Sequence, residues 1–313
     1  GNRLFGIYAQ DQWDLSDALT LNYGLRYDVL NAYINATQLS PRIGLVWYPS
    51  QTTVFHAGYA RYFTPPPNEL ISNETFSKFD GTTAAQSGPN DPVQAERDNY
   101  FDIGATHQFT PALNVGLDAY YKQARELLDE GQFGQALIFT PFNYAKGRVY
   151  GIEWTTAYHQ GPFSAYSNVA VARAQGMDVN SSEFNFQPNQ LAYVQNNYIY
   201  LDHDQRLTGS AGLSYLWQGT TYSVSDIYGS GLRATNPADG NVPNNDRLTF
   251  YNQTNVSAER SVNPAYVGPL KLRFTVVNIF DRQYELRDGT GIGVGAPQYG
   301  PRIGVFMGIT KPL

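Results

Sequence analysis

The chain has 313 residues, of which 42% are hydrophobic and 14% aromatic, and its formal net charge is -6. The absence of cysteine excludes a disulfide scaffold and any thiol-based metal site or chemistry. An acidic chain without a cluster of Lys or Arg also argues against a nucleic-acid partner, because phosphate binding requires a basic surface.

Hydropathy excludes transmembrane helices but is compatible with membrane-spanning strands. The mean hydropathy is -0.40, and no apolar run approaches the roughly 20 residues that a helix needs to cross a bilayer. Strands of a membrane barrel alternate lipid-facing and lumen-facing side chains, so their average hydropathy resembles that of a soluble protein. The 24 Tyr, 17 Phe and 4 Trp residues favour aromatic girdles at the membrane boundaries.

Strict alternation of apolar and polar residues recurs along the chain, which is the pattern of a strand with one apolar face. From residue 19 to residue 29, odd positions hold Leu, Tyr or Val, and even positions hold Thr, Asn, Gly, Arg or Asp. Most segments of this kind have about 10 residues or more, which is longer than the strands of soluble sheets and sufficient for the 9 to 11 residues that cross a bilayer at a tilt. The pattern predicts about thirteen strands, at 4–13, 19–33, 39–48, 53–63, 96–109, 113–125, 147–158, 163–174, 206–217, 220–230, 248–257, 270–280 and 302–310.

The connections between these segments alternate in length. Tight, turn-forming connections are predicted at 14–18, 49–52, 110–112, 159–162 and 218–219. Long polar connections are predicted at 64–95, 126–146, 175–205, 231–247 and 281–301. Two connections, 34–38 and 258–269, do not follow this alternation. Short turns at one end and long loops at the other are typical of outer-membrane barrels. We therefore predict an all-β, antiparallel transmembrane β-barrel with short periplasmic turns and long extracellular loops.

The end of the chain carries a specific motif, formed by Asn278, Ile279, Phe280, Asp281 and Tyr284 and followed by a Pro-Arg pair at 301–302. It resembles the Asn-hydrophobic-Phe-Asp-x-x-Tyr pattern in the penultimate strand of TonB-dependent outer-membrane receptors. Further segments similar to that family lie at 8–13, 24–28, 40–44 and 59–63. The resemblance therefore covers nearly the whole chain.

The resemblance implies a 22-stranded barrel closed by an N-terminal plug. We therefore expect residues 1–313 to be a partial barrel domain with about 13 of these strands, the plug and the first strands being absent from this chain. It further implies a multi-pass protein of the Gram-negative outer membrane that contacts outer-membrane lipid and lipopolysaccharide. The family is usually monomeric, so a monomer is expected.

The same resemblance implies an active transport receptor that binds and imports a scarce nutrient chelate, most commonly a ferric siderophore. Energy would come from TonB through the missing N-terminal part. No catalytic motif is found and no cofactor is expected. Two other interpretations are open: a passive porin or adhesin barrel without plug or energy coupling, and a soluble β enzyme or lectin, which the long apolar strand faces oppose.

The predicted long loops concentrate aromatic rings and a few cations, the groups that would hold an anionic, partly aromatic chelate. The candidate ligand-binding residues are Phe76, Phe79, Phe142, Tyr144, Tyr193, Tyr198, Arg233, Tyr284, Arg287 and Tyr299. The alternative for each ring is packing between loops.

Two oxygen-rich segments are candidates for metal binding. Asp202, His203 and Asp204 have suitable ligand types, but adjacent residues of an extended chain point in opposite directions, so no metal site is expected there. The segment 239–246 lacks the spacing and the closing Glu of a calcium loop. We therefore predict no metal site.

Overall fold

The computed structural model describes residues 2–67, 91–132, 139–183, 186–239, 242–292 and 295–311. Strands dominate this part of the chain, and its main element is one antiparallel sheet. No helix within the described ranges is long and apolar enough to span a membrane.

Thirteen long strands follow one another through the sheet, each pairing with its neighbour along the path. They are β1 (Arg3–Ser16), β2 (Leu19–Asn31), β3 (Asn35–Ser50), β4 (Thr53–Thr64), β5 (Glu96–Thr110), β6 (Leu113–Gln132), β7 (Phe139–Gln160), β8 (Phe163–Val179), β10 (Leu207–Trp217), β11 (Thr220–Gly229), β14 (Tyr251–Val262), β15 (Leu270–Val277) and β18 (Gly304–Thr310). A fourteenth strand, β9 (Ile199–Tyr200), pairs with β8. Among the described residues β1 and β18 do not pair with each other, so the sheet is an open wall and not a closed barrel.

The shorter elements lie in the long connections. Helix α1 (Pro188–Val194) precedes β9, the hairpin of β12 (Arg233–Ala234) and β13 (Asp246–Arg247) encloses a 3-10 turn at Pro237–Asp239, and β16 (Glu285–Asp288) pairs with β17 (Pro297–Tyr299). These elements all lie at one end of the sheet, here called the loop end. The tight turns lie at the opposite end, the turn end.

Register places the apolar residues of adjacent strands on one face. Leu21 lies opposite Leu45, and Tyr23 lies opposite Ile43. All four belong to one side of the sheet, because alternate residues of a strand share a face and direct cross-strand partners share it too. Tyr23, Ile43 and Leu45 are exposed, as are many large apolar side chains along the sheet. A continuous exposed apolar face of this size is unusual for a soluble protein and is suited to lipid.

The predicted strands are all found, and so is the all-β antiparallel architecture. The aromatic residues Trp13, Trp47, Tyr48 and Trp217 lie beside the tight turns and are exposed there, as expected of an aromatic girdle. Several boundaries differ. The predicted strand 270–280 ends at Val277, because Asn278 adopts a left-handed backbone with φ of 49° and interrupts the ladder.

The largest correction concerns the connection 126–146, which was predicted to be a loop. Strands β6 and β7 continue into it, pairing from Leu127 opposite Tyr144 to Gln132 opposite Phe139. The ladder extends beyond β5, whose pairing with β6 ends at Arg125. Alternation is weak in this stretch of β6, so the sequence did not predict the extension. The other long connections that fall within the described ranges also contain secondary structure.

Candidate ligand-binding site

The long connections pack against each other through a shared apolar core at the loop end of the sheet. The buried residues of this loop cluster are Ala124, Leu127, Phe142, Tyr144, Phe186, Val194, Ile199, Leu201 and Ile292. The rings of Phe142, Tyr144 and Phe186 meet edge to face, with centroids 5.0 to 6.3 Å apart. Burial of these rings joins the β6–β7 hairpin to the segments before and after α1, so the connections form one packed body.

Asn143 connects three chain segments within this body. Its fully buried amide accepts hydrogen bonds from the Gln94 N–H at 2.7 Å and the Ser181 hydroxyl at 2.8 Å. The same amide donates to the Glu126 carbonyl at 2.8 Å and the Gln94 carbonyl at 3.2 Å. Every hydrogen-bonding position of the buried side chain is therefore used, which fixes the relative positions of the segments.

Asp204 makes a second set of buried connections. One carboxylate oxygen accepts from the Ala174 N–H of β8 at 2.7 Å, and the other accepts from Arg233 Nε at 2.8 Å. The Arg233 guanidinium also lies 3.4 Å from the centroid of the Tyr200 ring. The charge of Arg233 is thus compensated within the protein.

A cavity of about 510 Å³, here called the acidic cavity, lies among the connections at the loop end and is lined in part by Asp129, Asp202, His203 and Arg287. His203 Nδ1 is 3.0 Å from Asp202 Oδ1 and 3.7 Å from Asp129 Oδ1. Arg287 Nη2 is 3.0 Å from the other oxygen of Asp202. Both carboxylates are largely buried, whereas the imidazole is half exposed.

Burial and hydrogen bonding shift the pKa of three groups in or near this cavity. Desolvation raises the pKa of the Asp129 carboxyl to about 7, opposed by the nearby His203. The hydrogen bond with Asp202 raises the pKa of His203. Burial also raises the pKa of the Tyr144 phenol well above its ordinary value, and the neighbouring Asp129 and Asp202 add to this effect. The cavity therefore contains two groups, Asp129 and His203, whose pKa values are shifted by their surroundings.

The structure brings some of the predicted ligand-binding residues together and separates others. Phe142 and Tyr144 are fully buried in the loop cluster, and Tyr193 packs against it. Arg287 lines the acidic cavity, and Arg233 is paired with Asp204 as described above. The Tyr198 ring lies under Arg148, whose guanidinium carbon is 4.1 Å from the ring centroid. Phe76 and Phe79 lie outside the described residues.

Of the remaining two predicted residues, Tyr284 belongs to the motif at the end of the chain, and Tyr299 lies just before the Pro-Arg pair that follows it. Tyr284 stacks on Tyr251 with centroids 4.6 Å apart and donates to Gln253 Oε1 at 2.9 Å. Tyr299 of β17 is exposed. Tyr284 therefore holds the connection after β15 against β14, whereas Tyr299 is available to solvent.

The rest of the motif closes this connection. The buried Asn278 amide donates to the Arg282 carbonyl at 2.9 Å and the Pro301 carbonyl at 2.8 Å, and accepts from the Arg282 N–H at 3.0 Å. Asp281 forms a two-pronged ion pair with Arg302 and accepts from the Ile303 N–H at 3.0 Å. The Asn and Asp of the motif thus join the start of the connection to its end, just before β18.

Sequence reasoning did not identify the acidic cavity. Adjacent residues of an extended chain are expected to point apart, whereas in the structure His203 Nδ1 lies 3.0 Å from Asp202 Oδ1. Asp129 lay in a stretch predicted to be a loop, so nothing indicated that it would face them. Predicting the β6–β7 ladder would have placed Asp129 opposite Phe142 on a paired strand and not in a loop.

Long antiparallel strands, an exposed apolar face, tight turns at one end and packed connections at the other define the wall of an outer-membrane type of β-barrel. The chain belongs to the TonB-dependent receptor β-barrel family, because the model described as "TonB dependent receptor-like, beta-barrel" matches residues 1–279. The resemblance noted in the sequence is thereby confirmed. Members of this family are transporters and not enzymes.

Solved structures share this fold. The FrpB iron transporter from Neisseria meningitidis is 17% identical, with a TM-score of 0.70, and the match covers 98% of this chain and 44% of that one. The siderophore receptor PiuA from Acinetobacter baumannii is 12% identical, with a TM-score of 0.68 and coverages of 98% and 43%. The copper transporter OprC is 15% identical, with a TM-score of 0.70 and coverages of 98% and 47%.

The chain thus spans less than half the length of these structures. At such identities the likeness concerns the fold alone. A comparison with curated proteins gives no significant match.

Proposed function

We propose that this chain is part of the barrel of an outer-membrane receptor that binds and imports a scarce nutrient chelate, most commonly a ferric siderophore. The observation that carries the proposal is the family match over residues 1–279. The names of the similar structures add support, since they include an iron transporter, a siderophore receptor and a copper transporter. Coupling to TonB, through a plug and further strands outside this chain, is part of the proposal.

The exposed apolar face supports a location in the outer membrane. Side chains such as Phe101, Ile103, Leu213 and Val305 would contact lipid, with lipopolysaccharide on the outer leaflet, and the loop end would face outward. We propose a monomer. Light scattering of the detergent-solubilised protein tests this, and a dimer of defined mass would contradict it.

Charge restricts where an anionic chelate would bind. The acidic cavity is lined by three carboxylates, those of Asp129, Glu130 and Asp202, against the guanidinium of Arg287 and the imidazole of His203, and Asp202 already pairs with that guanidinium. Such a cavity does not favour an anion. We therefore propose that accessible rings at the loop end, such as Tyr299, make the direct contacts, and that Phe142 and Tyr144 support them from the loop cluster.

Uptake by living cells tests the proposed function. Cells that express the intact receptor are given a panel of labelled ferric siderophores, with the proton gradient intact or collapsed, and cells without the gene are the control. We expect saturable, gradient-dependent uptake of one chelate. Leakage of many solutes that persists without a gradient would instead identify a passive pore, the alternative function.

A further inference from the structure

The acidic cavity contains a geometry that transport of a chelate does not require. The carboxylates of Asp129 and Asp202 and the imidazole of His203 converge there, each offering one ligand atom, with all three atoms within 4.8 Å of one another. Asp129 comes from β6 and the other two residues from the segment after β9, so the convergence depends on the tertiary fold.

The spacing suits a metal ion. Two ligand atoms about 2.0 to 2.1 Å from a tetrahedral metal lie roughly 3.4 Å apart. The distances from His203 Nδ1, 3.0 Å to Asp202 and 3.7 Å to Asp129, lie on either side of that value. A bound ion would take the place of the proton in the hydrogen bond between His203 and Asp202. Arg287 binds the second oxygen of Asp202 and thus leaves Oδ1 directed toward His203, which is how outer partners orient a ligating carboxylate.

An independent observation comes from Tyr144. Its side chain is fully buried and its hydroxyl has no hydrogen-bond partner among the residues that the structure describes, although buried hydroxyls are normally paired. Tyr144 lies opposite Leu127, and Phe142 lies opposite Asp129. Alternation therefore puts Tyr144 and Asp129 on the same face of the hairpin. Asp129 and Asp202 both act on the buried Tyr144 phenol, so a water bound to a metal ion held by these carboxylates would lie near this hydroxyl.

We propose that Asp129, Asp202 and His203 form a binding site for a divalent transition metal ion, with Zn²⁺ as the best match. Imidazole and carboxylate together suit a borderline ion of this kind. The ion would connect the β6–β7 hairpin to the segment after β9 at the loop end. The site goes beyond the proposed function, because its ligand is a free metal ion and not a chelate, and it can exist whether or not the receptor imports a siderophore.

Metal titration of the intact, detergent-purified receptor tests the proposal. The protein is stripped with a chelator and titrated with ZnCl₂ by calorimetry, and Co²⁺ is added in parallel as a spectroscopic probe. The variants are His203→Ala and Asp129→Asn. We expect each to weaken binding of one Zn²⁺ by more than about 100-fold, because even outer partners of a metal contribute about 10- to 100-fold.

His56→Ala is the matched control. His56 also lies between two carboxylates, 3.1 Å from Asp118 and 3.6 Å from Asp102, but on another part of the sheet. We expect this variant to retain the Zn²⁺ ion that the other two variants lose. Circular dichroism and gel mobility confirm that each variant is folded, and Asp129→Asn preserves the shape of the side chain.

The proposal is overturned if the wild-type protein shows no saturable Zn²⁺ binding. It is equally overturned if folded His203→Ala and Asp129→Asn bind as the wild type does, or if only His56→Ala loses the ion.

Discussion

Replacing Asn143 with Ala should loosen the packed connections while leaving the sheet intact. The Asn143 side chain makes four hydrogen bonds to Gln94, Glu126 and Ser181, and it is fully buried. A hydrogen bond contributes about 0.5 to 1.5 kcal/mol net. The four together imply a loss of about 2 to 6 kcal/mol in the local free energy of opening.

Hydrogen exchange followed by mass spectrometry measures this loss directly, because it reports local opening segment by segment. Since about 1.4 kcal/mol corresponds to a factor of ten in an equilibrium constant, even the lower limit implies exchange about 30-fold faster. The peptides that should respond are those containing Gln94, Leu128 and Asn180. Peptides from β2 and β3 should not change.

Asn168→Ala provides the control, because Asn168 makes one exposed side-chain hydrogen bond, to Ser210 Oγ at 3.1 Å. Its effect should stay within about 0.5 kcal/mol, as is usual for surface substitutions. Equal exchange in Asn143→Ala and Asn168→Ala would refute the inference that the amide of Asn143 holds the connections together.

Three further predictions concern the same end of the sheet. Phe142→Ala removes a fully buried ring and should destabilise the loop cluster by about 3 to 5 kcal/mol, seen as faster exchange in α1; a change below about 1 kcal/mol would be inconsistent with the packing. Asn278→Ala breaks three hydrogen bonds and should make 281–301 susceptible to trypsin in the folded protein, whereas an unchanged fragment pattern would contradict this. The hydrogen bond from Arg302 is the main reason that the Asp281 pKa is lowered from 3.8 to about 2. The stability that the pair gives to the connection is therefore fully present above pH 3.8 and lost as the pH falls through about 2. Pepsin should therefore cleave the connection increasingly over this range, and Arg302→Gln should already be cleaved at pH 4; equal resistance of the two proteins at pH 4 would contradict the role of the pair.

The sequence predicts the wall of the sheet well because a physical period determines it. A strand with one lipid-suited face must alternate, and 19–29 alternates without a break. Turn-forming residues then place the chain reversals at the turn end. The chain-terminal motif was also recognisable in the sequence, although the hydrogen bonds of Asn278 and the ion pair of Asp281 only become apparent in the structure.

The connections at the loop end follow no such period, because single side chains from distant parts of the chain hold them together. Asn143 reaches Gln94 and Ser181, and Asn244 accepts from the Ile292 N–H at 3.0 Å and donates to the Tyr200 carbonyl at 2.8 Å. Each of these amides is an ordinary polar residue when read locally, and only the tertiary fold reveals that it is buried and hydrogen-bonded to distant parts of the chain.

The same reasoning explains why the acidic cavity escaped prediction. A metal site recognisable in a sequence has its ligands at a fixed spacing within one or two elements. Here Asp129 belongs to a strand extension that exists because Phe142 and Tyr144 are buried against Phe186, while His203 belongs to a segment positioned by the pairing of Asp204 with Arg233. The site depends on two packing events that the local sequence does not encode. A substitution that disrupts either event, such as Phe142→Ala, should therefore weaken Zn²⁺ binding without altering any proposed ligand.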